Sequence, residues 1–433
     1  MKTLPVRELR LDNGMQILMV ERHDSQILRL RFLFKRGASD AAPGVASFAA
    51  ALMSRYNANG SWPPDAGSTY WVGQDSLGID TLAITRWWYG EHPLQPALFE
   101  LSRFFAAPKL DAWNIERERR LRAVVPMNTL DDGLLTTHLE HEALYPSAHP
   151  YHFTARGDAD AANAINAASL QSFFGLHVQP SQLVVIAVGD FDGDELSQEL
   201  ESTFGRWHGS AVERKPMPEL PLPAGPALYL LDQPGSDEAR ITVSARGPAA
   251  TSPDQPALFL LSTIVRRAIA EQLDLDLRED SRHTSAFGSP AYWRGPGPLE
   301  FRASVPRERA ADSLRLIEHE LARLRAAPLS RDELATAARA AQRHLAMGAD
   351  TADAIVGALS ELAAHDRPMN DYDRIIAAIG QTSADDLQKL ARVYCAPEKL
   401  RWFVVSDATV LAPSLSGLGL GPIQIQAVGH PRT

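Results

Sequence analysis

Residues 169–192 read SLQSFFGLHVQPSQLVVIAVGDFD, and residues 386–409 read DLQKLARVYCAPEKLRWFVVSDAT. Leu170, Gln171, Pro180, Leu183 and Asp190 of the first stretch recur as Leu387, Gln388, Pro397, Leu400 and Asp407 of the second, each 217 positions on. In both, a helix-like run stops before a proline, whose ring fixes φ and removes a backbone donor. An apolar run of strand length follows. A helix, a proline turn and a buried strand repeated in one register predict duplication of an α+β unit of roughly 200 residues.

The beginnings of the two copies are alike as well. QILRLRFLFKRG ends at Arg36-Gly37 and ARITVSARG ends at Arg246-Gly247, both with strand-like alternation. Each is followed by a proline-containing loop and an apolar helical run, GVASFAAALMS (44–54) and ALFLLSTIVRRAIAEQL (257–273). Between the copies lies RKPMPELPLPAGP, 214–226, with five prolines. That density favours extended chain and reads as a linker. The expected organisation is therefore a domain over 1–213, a linker over 214–226 and a second domain over 227–433. Each domain is expected to be α+β, a mostly antiparallel sheet covered by helices, and the two to form a clam-like pair. Strong helical patterns occupy 308–325, 330–346 and 351–364. Pro328 separates the first two, and Ser330 with Glu333 has capping-box spacing.

The chain has 433 residues, 45% hydrophobic and 22% charged, with a formal net charge of -10. This is a soluble globular balance. It lacks the basic footprint of a nucleic-acid binder. The single cysteine, Cys395, excludes an intrachain disulfide and a cysteine-rich zinc site. No run of about 18 apolar residues predicts a membrane span. The start, MKTLPVRELRLDNGMQ, has no apolar segment of the kind a signal peptide needs. The expected compartment is a bacterial-type cytoplasm or periplasm.

The order of motifs resembles the pitrilysin/insulinase (M16) zinc peptidases. LDNGMQILMVERHDSQILRLRFLFKRGASD (11–40), HPYHFTARGDADAANAI (149–165) and PSQLVVIAVGDFD (180–192) are similar to phrases of that family. So are LSRDELATAARAAQRHLA (329–346) and SADDLQKLARVYCAPEKL (383–400). The resemblance covers nearly the whole chain. It implies a chemistry of metal-assisted peptide hydrolysis. His-x-x-Glu-His on one helix holds Zn2+ with two histidines, its Glu serves as general base, and a Glu on a second helix completes the ligand set.

Set against that signature, GVASFAAALM places Ser47 and Ala51 at the histidines and Ala50 at the general base. ERRLRAVV (118–125) places Val125 at the third ligand, an alignment supported by Asp131 downstream. Alanine and valine have no lone pair to offer, and a serine hydroxyl is a poor zinc ligand. The resemblance thus implies no catalytic or metal-binding residues at these four positions, and no zinc on this chain.

What the resemblance leaves for function is substrate binding. The family's peptide-pairing edge strand aligns with GSTYWVGQDSL (67–77), which makes Tyr70, Trp71 and Val72 candidates. Its substrate-binding Arg and Tyr fall in LREDSRHTSAFGSPAYW (277–293), where Arg278 matches the Arg and Phe287 or Tyr292 stands near the Tyr. A phenylalanine cannot donate the hydrogen bond that a tyrosine would. Other features have plainer readings. HLEHEALYPSAHPYH (138–152) offers His138, His141 and Glu142 to a metal, or forms a helix on the sheet with surface histidines at its end. His319-Glu320 is followed by Arg323, so no zinc motif forms. GDFDGDE near 189 lacks calcium-loop spacing and reads as a solvated turn. Trp87, Trp88 and Tyr89 suit either a partner surface or a core.

Two functional classes follow. In the first, the chain is a zinc-less subunit whose partner, a zinc-bearing subunit of similar length, forms a heterodimer with it around a peptide substrate. In the second it is a scaffold, as the core subunits of the respiratory cytochrome bc complex resemble this fold. A self-sufficient hydrolase finds no supporting constellation, since neither a Ser-His-Asp pattern nor a GxSxG elbow occurs.

Overall fold

A computed structural model describes residues 5–57, 67–85, 94–124, 132–209, 212–225, 227–277, 285–347 and 350–427. The chain divides into two compact units. The first comprises Met1–Pro126, Phe153–Pro216 and Met347–Asp371, and the second Met127–His152, Met217–Ala346 and Tyr372–Thr433.

The first unit is built on a sheet of β1 (Arg7–Arg10), β2 (Gln16–Glu21), β3 (Ile27–Phe34), β4 (Gly67–Val72), β5 (Leu77–Ile84) and β6 (Leu183–Gly189). Their spatial order is β1-β2-β6-β3-β5-β4. Only β2 and β6 run parallel; the other neighbours are antiparallel. One face is covered by helices α1 (Val45–Asn57), α2 (Gln95–Ala106), α3 (Ala112–Val124), α5 (Ala159–Ala164), α6 (Ala167–His177) and α7 (Gly193–Phe204). Phe32 and Phe34 of β3 meet Phe105, Phe32 also meets Phe204, and Phe105 in turn meets Trp207 in that core.

The second unit carries β7 (Leu228–Asp232), β8 (Glu238–Arg246), β9 (Ser285–Pro290), β10 (Pro298–Pro306), β11 (Arg401–Ser406) and β12 (Ile423–Ala427). Their order is β12-β7-β11-β8-β10-β9. The run β7-β11-β8-β10-β9 repeats the run β2-β6-β3-β5-β4, so the duplication read from the sequence is present in topology. Helices α8 (Gln255–Leu277), α9 (Ala310–Ala326), α10 (Arg331–Met347), α12 (Asp371–Gln381), α13 (Ala384–Tyr394) and α14 (Ala408–Ser416) cover one face. Leu170 and Leu387 are buried at equivalent places, and Pro180 and Pro397 each open a short 3-10 turn into β6 and β11.

The far face of each sheet is covered by a helix from the other half of the sequence. Leu18, Val20, Leu33, Val184, Ile186 and Val188 pack against Ile355, Val356, Leu359 and Ala363 of α11 (Ala352–Ala364). Tyr229, Leu231, Phe403 and Val405 pack against Leu135, Leu139 and Ala143 of α4 (Asp132–Leu144). Both helices show apolar residues at intervals of three or four, the pattern of a helix lying flat on a sheet. The compact units therefore differ from the contiguous spans 1–213 and 227–433, since 127–152 and 347–371 change places. One of the crossings from the first unit to the second, Pro216–Met217, lies inside the proline-rich segment.

The three helices expected in the second half form as α9, α10 and α11. Ser330 accepts from the Glu333 amide at 3.3 Å, but the Glu333 carboxylate lies 2.6 Å from Arg323 instead of closing a capping box. GDFDGDE near 189 is a helix start rather than a solvated turn, with Asp192 accepting from the amides of Asp194 and Glu195.

Candidate functional site

The alanine-rich α1 is a strong helix former, and its inward face is apolar. Ser47, Ala50 and Ala51 are 6%, 0% and 1% exposed. Ser47 and Ala51 lie one helical turn apart on a shared face. What meets Ser47 is a cation belonging to the chain. Arg122 of α3 donates from Nη2 to the Ser47 hydroxyl at 3.0 Å and from Nε to Glu118 at 2.9 Å. Its guanidinium lies 5.0 Å from the Phe48 ring centroid. Glu118, 3% exposed, also takes Arg55 of α1 at 2.5 Å. A carboxylate held by two guanidiniums in this way is a satisfied buried network.

Zinc does not fit these residues. A guanidinium has five donors and no lone pair, and it stays charged at every ordinary pH, so it neither ligates a metal nor leaves room for one against Ser47. Glu118 is fully engaged by Arg122 and Arg55. Among the described residues, no three His, Cys, Asp or Glu side chains gather as a metal site. Val125, the fourth rewritten position, lies outside the described residues.

Packed on α1 is the edge strand β4. Gly73 donates to the Ser76 carbonyl at 2.8 Å, which closes the β4–β5 hairpin as a hydrogen-bonded pair. Pairs alternate from there, so Trp71↔Gly78 and Thr69↔Asp80 are hydrogen-bonded, and Val72↔Leu77 and Tyr70↔Ile79 are not. Tyr70 and Val72 therefore aim their amide and carbonyl groups away from β5, along an edge that no other strand among the described residues covers. Tyr70 is 43% exposed. Trp71 faces the opposite way and packs under Arg31, 4.9 Å from the ring centroid. Gly78 makes room for that indole; a Cβ there would stand 3.0 Å from Trp71 Nε1 and 2.4 Å from the Phe32 carbonyl. Tyr70 and Val72 offer a pairing edge, and Trp71 anchors it.

In the second unit the described residues include few of the candidates. Arg278 lies outside the described residues, and so does the side chain of Phe287, whose backbone pairs opposite Arg302 in β9. Tyr292 is half-buried in the segment joining β9 to β10. The aromatic cluster Trp87, Trp88 and Tyr89 is also outside the described residues. The histidines of 138–152 do not converge. His138 lies 3.4 Å from Glu142, and His141 is buried with Nδ1 2.6 Å from the Tyr151 carbonyl. His149, too, is buried rather than superficial, and accepts from the Tyr151 amide at 3.1 Å. Burial pushes its imidazole down to about 4, with Arg246 adding to the effect.

Sequence reasoning missed the Arg55–Glu118–Arg122 network. Its only local signal is the i, i+4 spacing of Glu118 and Arg122, common on any exposed helix. It also missed Glu140, which is 1% exposed on α4.

Residues 164–341 match the family model described as the Peptidase M16 inactive domain. An uncharacterized zinc protease of Streptomyces coelicolor is 22% identical over 245 residues, 54% of this chain. That match spans about half, 52%, of the relative's length. Among solved structures, the peptidase M16 inactive domain from Pseudomonas fluorescens has a TM-score of 0.76 at 20% identity, covering 93% of this chain and 98% of that one. The first half of the periplasmic protease PqqL from Escherichia coli gives 0.76 at 16% identity, covering 94% and 93%. A chain of complex III2 from Candida albicans gives 0.75 at 14% identity, covering 95% and 99%. The fold is thus the M16 fold, and the matched segment is similar to the inactive domain of that family.

Proposed function

We propose that this chain is a non-catalytic M16-type subunit. It pairs as a heterodimer with a zinc-bearing M16 subunit and contributes to the chamber in which that partner hydrolyses peptides. The observation that supports this most directly is the Ser47–Arg122–Glu118 contact. Where the family resemblance implies a metal, this chain carries a guanidinium, so hydrolysis would need zinc ligands from elsewhere. Backbone groups pair with a peptide whatever its side chains, so the β4 edge at Tyr70, Trp71 and Val72 would retain substrate binding after the metal ligands are lost. Arg278, with Phe287 or Tyr292, would contribute on the other unit.

The test is co-expression with a zinc-bearing M16 subunit from the same genome, followed by peptidase assay. A stable complex whose activity exceeds that of the zinc subunit alone supports the reading. A second reading, a scaffold without a part in proteolysis, draws on the likeness of fold to a chain of complex III2. It expects assembly with no change in hydrolysis, and titrating this chain into the active subunit separates the two.

A further inference from the structure

Glu140 has no role in the reading above, yet it is the most deeply buried carboxyl group facing the second unit's sheet. It projects from α4 onto a row of residues at one register: Glu300 of β10 is directly opposite Ser244 of β8, which is opposite Arg401 of β11. The Ser244 hydroxyl donates to Glu140 Oε1. Glu300, opposite Ser244 at this register, is the neighbouring second acid, and its charge raises the Glu140 carboxyl further. Two carboxylates have no hydrogen to share, so these neighbouring acids can bond only with a proton on one of them.

We propose that a proton held between Glu140 and Glu300 clamps α4 onto the second unit's sheet, and that loss of this proton loosens the helix. Among the described residues no Lys or Arg is ion-paired with Glu140 itself, though the Arg302 charge lowers its carboxyl somewhat. Arg302 of β10 lies 2.7 Å from Glu300 but is about half exposed, on the outer side of the pair. Arg401 gives its donors to the carbonyls of Glu398, Leu400 and Pro223. Arg246 of β8 donates to the Pro221 carbonyl. His141 and Glu142 on α4, and Tyr145 and His149 beyond it, are engaged with Tyr151, His138, Pro296 and the Tyr151 amide. Tyr229 of β7 stacks on Phe403.

Burial, with the Glu300 charge second, holds the Glu140 carboxyl well above the usual range. The sign follows: the folded state keeps a proton that the unfolded chain releases, so the clamp is complete at low pH and is lost as pH rises through the raised value.

The experiment is hydrogen exchange of the α4 segment in the full chain between about pH 6 and pH 9, corrected for intrinsic exchange. In the wild type, local opening of α4 should increase with pH, by at most tenfold per unit for one proton released. In Glu140→Gln the dependence should vanish with protection retained, because an amide donates permanently to Glu300 and still accepts from Ser244. Glu300→Gln should lessen the dependence without abolishing it, because burial still raises the Glu140 carboxyl, and it decides the matter should Glu140→Gln fold poorly. Equal pH dependence in the wild type and the Gln variants would overturn the proposal. So would an α4 loosened at every pH in both variants.

Discussion

The guanidinium of Arg122 lies 3.0 Å from the hydroxyl of Ser47, joining α3 to the α1 face that carries Ser47 and Ala51. The contact depends on Glu118, which pairs with both Arg122 and Arg55. Replacing Glu118 with Ala leaves two guanidiniums facing each other without their carboxylate. The expected cost is about 3–5 kcal/mol, the usual result of removing one partner from a buried ion network. Ser47→Ala removes a single acceptor and should cost only about 1 kcal/mol. Urea unfolding followed by probes in the first unit measures both, and similar costs would contradict this ordering.

Writing the family's motif into α1 should not by itself create a zinc site. In the triple substitution Ser47→His, Ala50→Glu and Ala51→His, the two imidazoles would lack a third ligand, since Val125 has none to give. Arg122 would repel the incoming cation. Zinc content after incubation and desalting should remain well below one equivalent. Adding Val125→Glu and Arg122→Leu should raise it. Stoichiometric zinc in the triple variant alone would mean that another side chain completes the site.

Much of this architecture was legible because it follows from local pattern. Leu170 and Leu387 stand at one register because each closes the same helix–turn–strand unit. The alanines of α1 have no lone pair to offer a metal, which needs no coordinates to be recognised. The helix exchange was not legible. The spacing of Leu135, Leu139 and Ala143 declares an apolar face without saying which sheet it covers, and contiguity suggested the wrong one. His141 and His149 misled for a related reason. Polar side chains at a helix end suggest solvent, whereas each imidazole is here buried beside a backbone partner at Tyr151.

That exchange makes neither half of the sequence self-sufficient. Expressed alone, residues 1–213 would expose Leu18, Val20, Leu33, Val184, Ile186 and Val188 where α11 normally lies. An uncovered apolar sheet face of this kind promotes aggregation. The fragment should be insoluble or oligomeric by size-exclusion chromatography, and adding 347–371 through a flexible linker should recover a monomer. In the full chain, Ile355→Ala should destabilise the first unit by about 2–5 kcal/mol, the range for truncating a buried aliphatic side chain. Exchange protection lost in β3 and β6 reads this directly.

His149 gives the second unit an acid limit. Its folded value is pushed down to about 4, from 6.5. The unfolded chain therefore binds a proton that the folded state refuses over this interval. Its contribution to stability is whole above the unfolded value and is lost as pH falls towards the folded one. The slope approaches about 1.4 kcal/mol per pH unit for this one group. His149→Asn preserves an acceptor near the Tyr151 amide and removes the titration. Its stability profile should be flatter than the wild type between pH 6.5 and 4, the interval set by the two values. Parallel acid limbs would assign the loss to other groups.

The β4 edge can be tested without disturbing its sheet. Tyr70 occupies a non-hydrogen-bonded pair with Ile79, so its amide points outward and takes no part in the β4–β5 ladder. Proline at this position removes the outward donor, and edge strands tolerate it. Under the proposed role, Tyr70→Pro should weaken peptide binding to the heterodimer and raise KM, since one backbone bond of the added strand is lost. Thermal stability should fall by much less than with proline at Thr69, whose amide belongs to a hydrogen-bonded pair. Trp71→Ala should have the opposite balance: the indole packs under Arg31 and faces away from Tyr70, so stability falls while the outward donors persist. If Tyr70→Pro leaves KM unchanged while Trp71→Ala raises it, peptide does not bind by pairing with this edge, and β4 serves only to complete the sheet.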